Sequence, residues 1–131
     1  MSTQIELAAD YEAARQIGPW LANALGELRA AQASRAGELE LALHELAINI
    51  VDHAYTEADR QTSTYTIDLT LVDGSLRARF CDHGQPFVDD RPASDGEPTI
   101  RGYGLFILEQ LASSIDYERA GDENRWTLVF S

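Results

Sequence analysis

The sequence predicts an α+β domain: a two-layer α/β sandwich with a mixed, mostly antiparallel sheet and helices on one face. Three observations carry that expectation. Apolar residues recur at helical period from about Glu38 to Ile50, two strand-like runs meet at Asp73-Gly74, and two more, "SIDYERA" and "RWTLVF", close the chain. Elements that come in blocks, without strict alternation of strand and helix, favour helices stacked on a largely antiparallel sheet. At 131 residues the chain is expected to form one domain spanning residues 1 to 131.

Each element has its own signal. "TQIELAA" alternates in part and reads as a first strand, and Asp10 is placed to cap a helix through "YEAARQIGPWLANALGELRAAQ". Gly18-Pro19 falls inside that pattern and is expected to kink or divide it. Leu39, Ala42, Leu43, Leu46, Ala47 and Ile50 then mark one face of a second helix. Strands are expected near Thr64 to Val72 and Leu76 to Asp82, joined by Asp73-Gly74, the strongest short hairpin signal. Residues 84 to 101 hold three of the four prolines and read as a long, acidic loop or lid. A helix from about Gly104 to Ala112 follows, and "GDEN" turns the last two strands.

Composition excludes several functions. The formal charge of −12 opposes binding to nucleic acid or an anionic membrane, and no apolar run is long enough to span a bilayer. The N-terminus lacks a signal-peptide pattern, so a cytoplasmic protein is expected. Cys81 is the single cysteine and suits a reducing compartment as a small buried hydrophobe. All ten basic residues are arginine, which rules out a Schiff-base lysine and a P-loop. "HEL" at His44 is not a zinc-protease helix, because Ile48 stands where the second histidine would be.

Polar residues interrupt the second helix where chemistry would be useful. At about 100° per residue, Glu45, Asn49, Asp52 and His53 share an arc of roughly 100° along the border of the apolar seam, as a pocket wall would. The bland alternative is the start of the solvated face. "DHGQPF" puts Asp82 at a strand end followed by Gly84, and "RGYGLFILEQL" puts Gly102 and Gly104 before an apolar helix whose first N–H groups suit an anion. Each of these alone is weak.

In this order, Glu45 with Asn49, then Asp82-x-Gly84, then a variable loop, then Gly102-x-Gly104-Leu105, the segments resemble the N, G1 and G2 boxes of the GHKL ATP-binding superfamily. The free-standing form, the Asp-x-Gly-x-Pro-Phe box and the "GLFILEQL" continuation are most similar to the anti-sigma-factor serine/threonine kinases of bacterial partner-switching modules. The resemblance covers nearly the whole chain and implies a Bergerat-type ATP-binding fold with ATP and Mg2+ as cofactors. Residue by residue it implies Glu45 as general base, Asn49 as the Mg2+ ligand and His53 near the nucleotide, a satisfied histidine at the core edge being an equal reading of the last. Asp82 would accept from the adenine amine, with Gly84 leaving room for the base. Arg101 and the backbone of Gly102, Tyr103, Gly104 and Leu105 would follow the phosphates, and Thr127 would lie near adenine. Asp52 and the acidic lid depart from the pattern, since both add negative charge near the phosphates.

The implied substrate is a STAS-domain anti-sigma-factor antagonist, the implied second partner a sigma factor or other output protein, and a homodimer is common in the family. Two other readings stay open. One is an ATP-binding anti-sigma or adaptor module without kinase activity. The other is a stand-alone catalytic domain of a split histidine kinase, which needs a separate chain with the dimerisation helices.

Overall fold

The computed structural model describes residues 2–56, 62–87 and 100–131, apart from the side chains of 2 and 100–104. Five strands, β1 (Ser2–Ala8), β2 (Thr64–Val72), β3 (Ser75–Asp82), β4 (Ser114–Ala120) and β5 (Glu123–Phe130), form one sheet in the order β1-β2-β3-β5-β4. All four pairings are antiparallel. Three α-helices are described: α1 (Ile17–Leu28), α2 (Ala36–Ala54) and α3 (Ile100–Leu111), with α2 touching both of the others. This is the α+β class the sequence predicts.

The sheet is two-faced because its side chains alternate. Leu7, Tyr65, Ile67, Leu69, Leu76, Ala78, Phe80, Trp126, Leu128 and Phe130 are buried on the inner face, where α2 adds Leu39, Leu43, Leu46 and Ile50. Each large side chain so buried contributes about 1.5–3 kcal/mol, which outweighs the strand and helix propensities of single residues. The outer face is polar: Asp68, Arg79, Thr127 and Asp116 stand opposite one another in a row across four strands. Cys81 is half-buried on that outer face, where burial, then the charge of Glu123, pushes its thiol pKa up.

The first helical region divides as Gly18-Pro19 suggests. The Ala13 N–H donates to Asp10 Oδ1 at 2.7 Å, starting a short 3-10 turn (Ala13–Gln16) before α1 begins at Ile17. Pro19 then lies in the first turn of α1, where its missing N–H costs no helical bond. A second tie lies at the end of the sheet where β3 starts. There the buried Gln32 side chain donates from Nε2 to the carbonyls of Gly74 (2.9 Å) and Phe130 (3.0 Å). None of the described helices is long and apolar enough to cross a membrane.

Between β2 and β3 the turn has positive φ at both central residues, 51° at Asp73 and 82° at Gly74, the form whose twist matches a two-residue hairpin. A Cβ at Gly74 meets nothing within 4 Å, so its cost is conformational alone. Gly74→Ala is expected to lower stability by about 1 kcal/mol in urea unfolding, with the denaturant slope unchanged. An unaffected midpoint would contradict the left-handed turn.

Candidate active site

The loop 82–87 at the end of β3 is held from three sides. Gln85 N–H donates to the Ala54 carbonyl at the end of α2 (2.8 Å), and the His83 N–H donates to Tyr55 Oη (3.2 Å). From β5, Asn124 Nδ2 donates to Asp82 Oδ1 (2.8 Å) and to the Gln85 carbonyl (2.8 Å). From β4, Arg119 Nη1 donates to the Gly84 carbonyl (2.7 Å) and to Asn124 Oδ1 (3.0 Å), and the Tyr117 hydroxyl donates to the same Asn124 oxygen. Phe87 N–H in turn donates to Tyr117 Oη (2.9 Å).

Asp82 is the centre of this net. It is 2% exposed, and its Oδ1 accepts from Asn124 and from the Gly84 N–H (2.9 Å), while its Oδ2 is buried without a hydrogen-bond partner among the described residues. A buried lone acceptor of this kind is costly unless a ligand supplies a proton. Burial raises the Asp82 pKa, and the bonds from Asn124 and Gly84 and the charges of His83 and Arg119 oppose that rise without cancelling it.

A cavity of about 10 Å³ lies beside this carboxylate, walled by Asn49 and His53 of α2, Asp82 and Phe87 of the loop, and Asn124 and Trp126 of β5. The second-helix and strand-end segments therefore converge as the sequence motifs imply. Asn49 is 8% exposed and faces this cavity; Glu45 is half-buried one turn earlier on α2 and is not one of its walls. Asp52 is exposed and accepts a hydrogen bond from the Tyr11 hydroxyl, on the segment that leads into α1.

Thr127 and the start of the third helix differ from what the sequence suggests, and Gly84 carries a second constraint. Gly84 is required by the helix: a Cβ there would stand 2.3 Å from the Ala54 carbonyl oxygen and 2.6 Å from Ala54 Cβ, so only glycine lets the loop approach α2. Thr127 is on the outer face of β5 opposite Arg79 and Asp116, away from Asp82; Asn124, three residues earlier, occupies the inner face. The third helix begins at Ile100, so Gly102 and Gly104 lie within its first turns and do not precede it. The N–H groups without helical partners are then those of residues 100–103. The side chains of Arg101 and Tyr103 lie outside the described residues, as do residues 88–99 of the expected lid, whereas Leu105 is buried.

A larger cavity of about 460 Å³ lies between α3 and β4, lined by Phe87, Leu105, Glu109, Ile115, Tyr117 and Trp126. The sequence reading missed Asn124, Tyr117 and Arg119. A signal was present, because Asn124 occupies the same inward register as Trp126, Leu128 and Phe130 and is the one amide in that series.

The histidine kinase-like ATPase domain family matches residues 7–130. No curated protein matches the chain. Among solved structures, the chain is similar to the RsbU and RsbW domains of a Mycobacterium tuberculosis protein, with 25% identity and a TM-score of 0.70 over 99% of this chain and 32% of that one. It is also similar to the SiaB–SiaC complex from Pseudomonas aeruginosa (16% identity, TM-score 0.65, 98% of this chain and 88% of that one). A third likeness is to the histidine kinase domain of a blue-light activated histidine kinase from Erythrobacter litoralis (14% identity, TM-score 0.57, 87% and 60%). The chain thus spans about a third of the length of the M. tuberculosis chain.

Because its folded pKa is raised, Asp82 contributes stability that is fully present below the ordinary carboxylate value and is lost as pH rises through the raised one. Asp82→Asn removes that titration while keeping an oxygen for Asn124 and Gly84. The variant is expected to melt no lower than wild type at neutral pH and to show a flatter melting-temperature profile above about pH 4. Parallel profiles for the two proteins would show that the ionised carboxylate carries no cost.

Proposed function

The chain belongs to the histidine kinase-like ATPase domain family, and from that premise we propose that it is an ATP-dependent serine/threonine protein kinase acting as an anti-sigma factor. Its proposed substrate is a STAS-domain antagonist, and its second partner a sigma factor or other output protein held inactive in the cytoplasm, with the kinase working as a homodimer. The observation that carries the nucleotide reading is the orphaned Asp82 Oδ2, a buried acceptor beside Asn49 that fits the amino group of adenine. Guanine presents a carbonyl there, and a carboxylate would reject it. The likeness to a chain with an RsbW domain, over 99% of this one, supports the partner-switching part of the reading.

Each residue then has a task. Asp82 orients the base, with Asn124 fixing which carboxylate oxygen is offered. The Asn49 amide oxygen would hold Mg2+, which favours oxygen ligands and keeps several waters, so a single protein ligand beside the phosphates suffices. His53 lines the same wall. Arg101 and the N-terminal turn of α3, with Gly102, Tyr103, Gly104 and Leu105, would receive the phosphates, whose charge is complemented by a helix N-terminus and a guanidinium. In the transfer, the substrate hydroxyl oxygen bonds to the γ-phosphorus as the bond to the bridging oxygen breaks, Glu45 takes the hydroxyl proton, and ADP leaves. A phosphate added to the antagonist would be repelled by a surface of net charge −12, releasing it.

The other reading is an ATP-binding anti-sigma adaptor that keeps the Asp82 site and transfers no phosphate.

One experiment separates the two: γ-labelled ATP, Mg2+ and a STAS protein are incubated with wild type or with Glu45→Ala. Transfer is expected to fall by about 10² to 10⁴ in Glu45→Ala with ATP binding retained. Asp82→Asn is expected to weaken ATP binding by roughly tenfold or more, the worth of a hydrogen bond to a charged group. ATP bound by wild type without any transfer selects the adaptor, and equal label transfer by wild type and Glu45→Ala eliminates the base.

A further inference from the structure

One side chain borders both the acceptor's cavity and the larger space beside it. Among the described residues, the cavity that Asp82 lines is about 10 Å³, enough for one water at most, whereas ligand sites run to several hundred Å³. The cavity between α3 and β4, about 460 Å³, is of that size, but Asp82 is not among its walls. Phe87 borders both cavities, and so does Trp126. The Phe87 ring meets Trp126 edge-on at a centroid distance of 4.9 Å and Tyr117 at 5.8 Å, and Tyr117 and Trp126 are 4.7 Å apart. It is half-buried.

We propose that Phe87 is the access-determining residue of the nucleotide cleft: its ring leaves Trp126 and Tyr117 when a purine enters, joining the two cavities and opening the Asp82 carboxylate to the amino group of the base. This deepens the ATP reading above and rests on it. Rotation of the side chain is sufficient. The backbone leading to Phe87 is fastened through Gln85 N–H to Ala54, Arg119 to Gly84 and Phe87 N–H to the Tyr117 hydroxyl. The ring contacts given up are replaced by the purine against Trp126, since a purine offers the same kind of π-face. With the ring seated the site is closed, so the apparent affinity is the intrinsic one reduced by the fraction of molecules with the ring displaced.

Trp126 reports the event directly. The chain has two tryptophans, so Trp20→Phe leaves Trp126 as the sole tryptophan, read by exciting beyond the tyrosine absorption. In that background, Phe87, Phe87→Ala and Phe87→Leu forms are mixed rapidly with ATP and Mg2+, and bound ATP is measured separately by equilibrium dialysis with labelled nucleotide. The expected result is a change in Trp126 emission on binding, with association about tenfold faster in Phe87→Ala and intermediate in Phe87→Leu, which keeps apolar bulk without the ring. Should Phe87→Ala fail to fold by circular dichroism, the Leu form and the Trp126 signal of the Phe87 protein decide alone. ATP retained in dialysis with unchanged Trp126 emission, or association at the same rate in every folded form, overturns the access role and leaves the ATP reading standing. Failure of all three to retain ATP overturns both.

Discussion

The hydrogen bond from Asn124 to Asp82 joins the end of β3 to the start of β5 across two hydrogen-bonded strands, at a point from which water is excluded. It satisfies one carboxylate oxygen and leaves the other without a donor among the described residues. Most of the surrounding geometry is what such a half-satisfied acid requires. Arg119 and Tyr117 saturate the Asn124 carbonyl oxygen so that its amide cannot flip, and the Gly84 N–H secures the same carboxylate oxygen from the loop side. The polar group left open is thereby fixed in place before any ligand arrives, which is the condition for selective recognition.

The same net explains why the loop can lie so close to α2. Backbone groups brought against a helix end need partners. The Gln85 N–H finds the Ala54 carbonyl, Gly84 tolerates the approach because it has no Cβ, and Tyr55 accepts the His83 N–H while donating to the Thr64 carbonyl. Burial, then the charge of Asp82, raises the Tyr55 pKa, so this hydroxyl stays a donor across the physiological range. The end of α2, the start of β2 and the loop after β3 are in this way parts of one construction.

Much of the fold was legible because period is a strong signal. The second helix, the Asp73-Gly74 hairpin and the run "SIDYERA" appear where apolar spacing and turn chemistry place them, with β2 and β4 matching residue for residue. What escaped is set by tertiary contact. Glycines usually mark helix ends, but Gly102 and Gly104 lie inside α3, a start that neither periodicity nor propensity separates from a later one. Thr127 and Asn124 are both polar residues in one strand, and the alternation that puts Asn124 with Trp126, Leu128 and Phe130 puts Thr127 on the other face. The convergence of Asn49 and Asp82 follows from the order of the motifs, whereas the role of Tyr117 and Arg119 depends on β4 pairing with β5, which composition does not reveal.

Gln32 holds the far end of the sheet, tying the hairpin turn after β2 to the last residues of β5 with a buried amide. The two ends of the β3–β5 pair are each closed by a buried polar side chain, Gln32 at one and Asp82 at the other, and each keeps one oxygen without a hydrogen-bond partner among the described residues. The Asp82 end is tied sideways into β4 by Arg119 and into the end of α2 by Gln85, so three elements meet there.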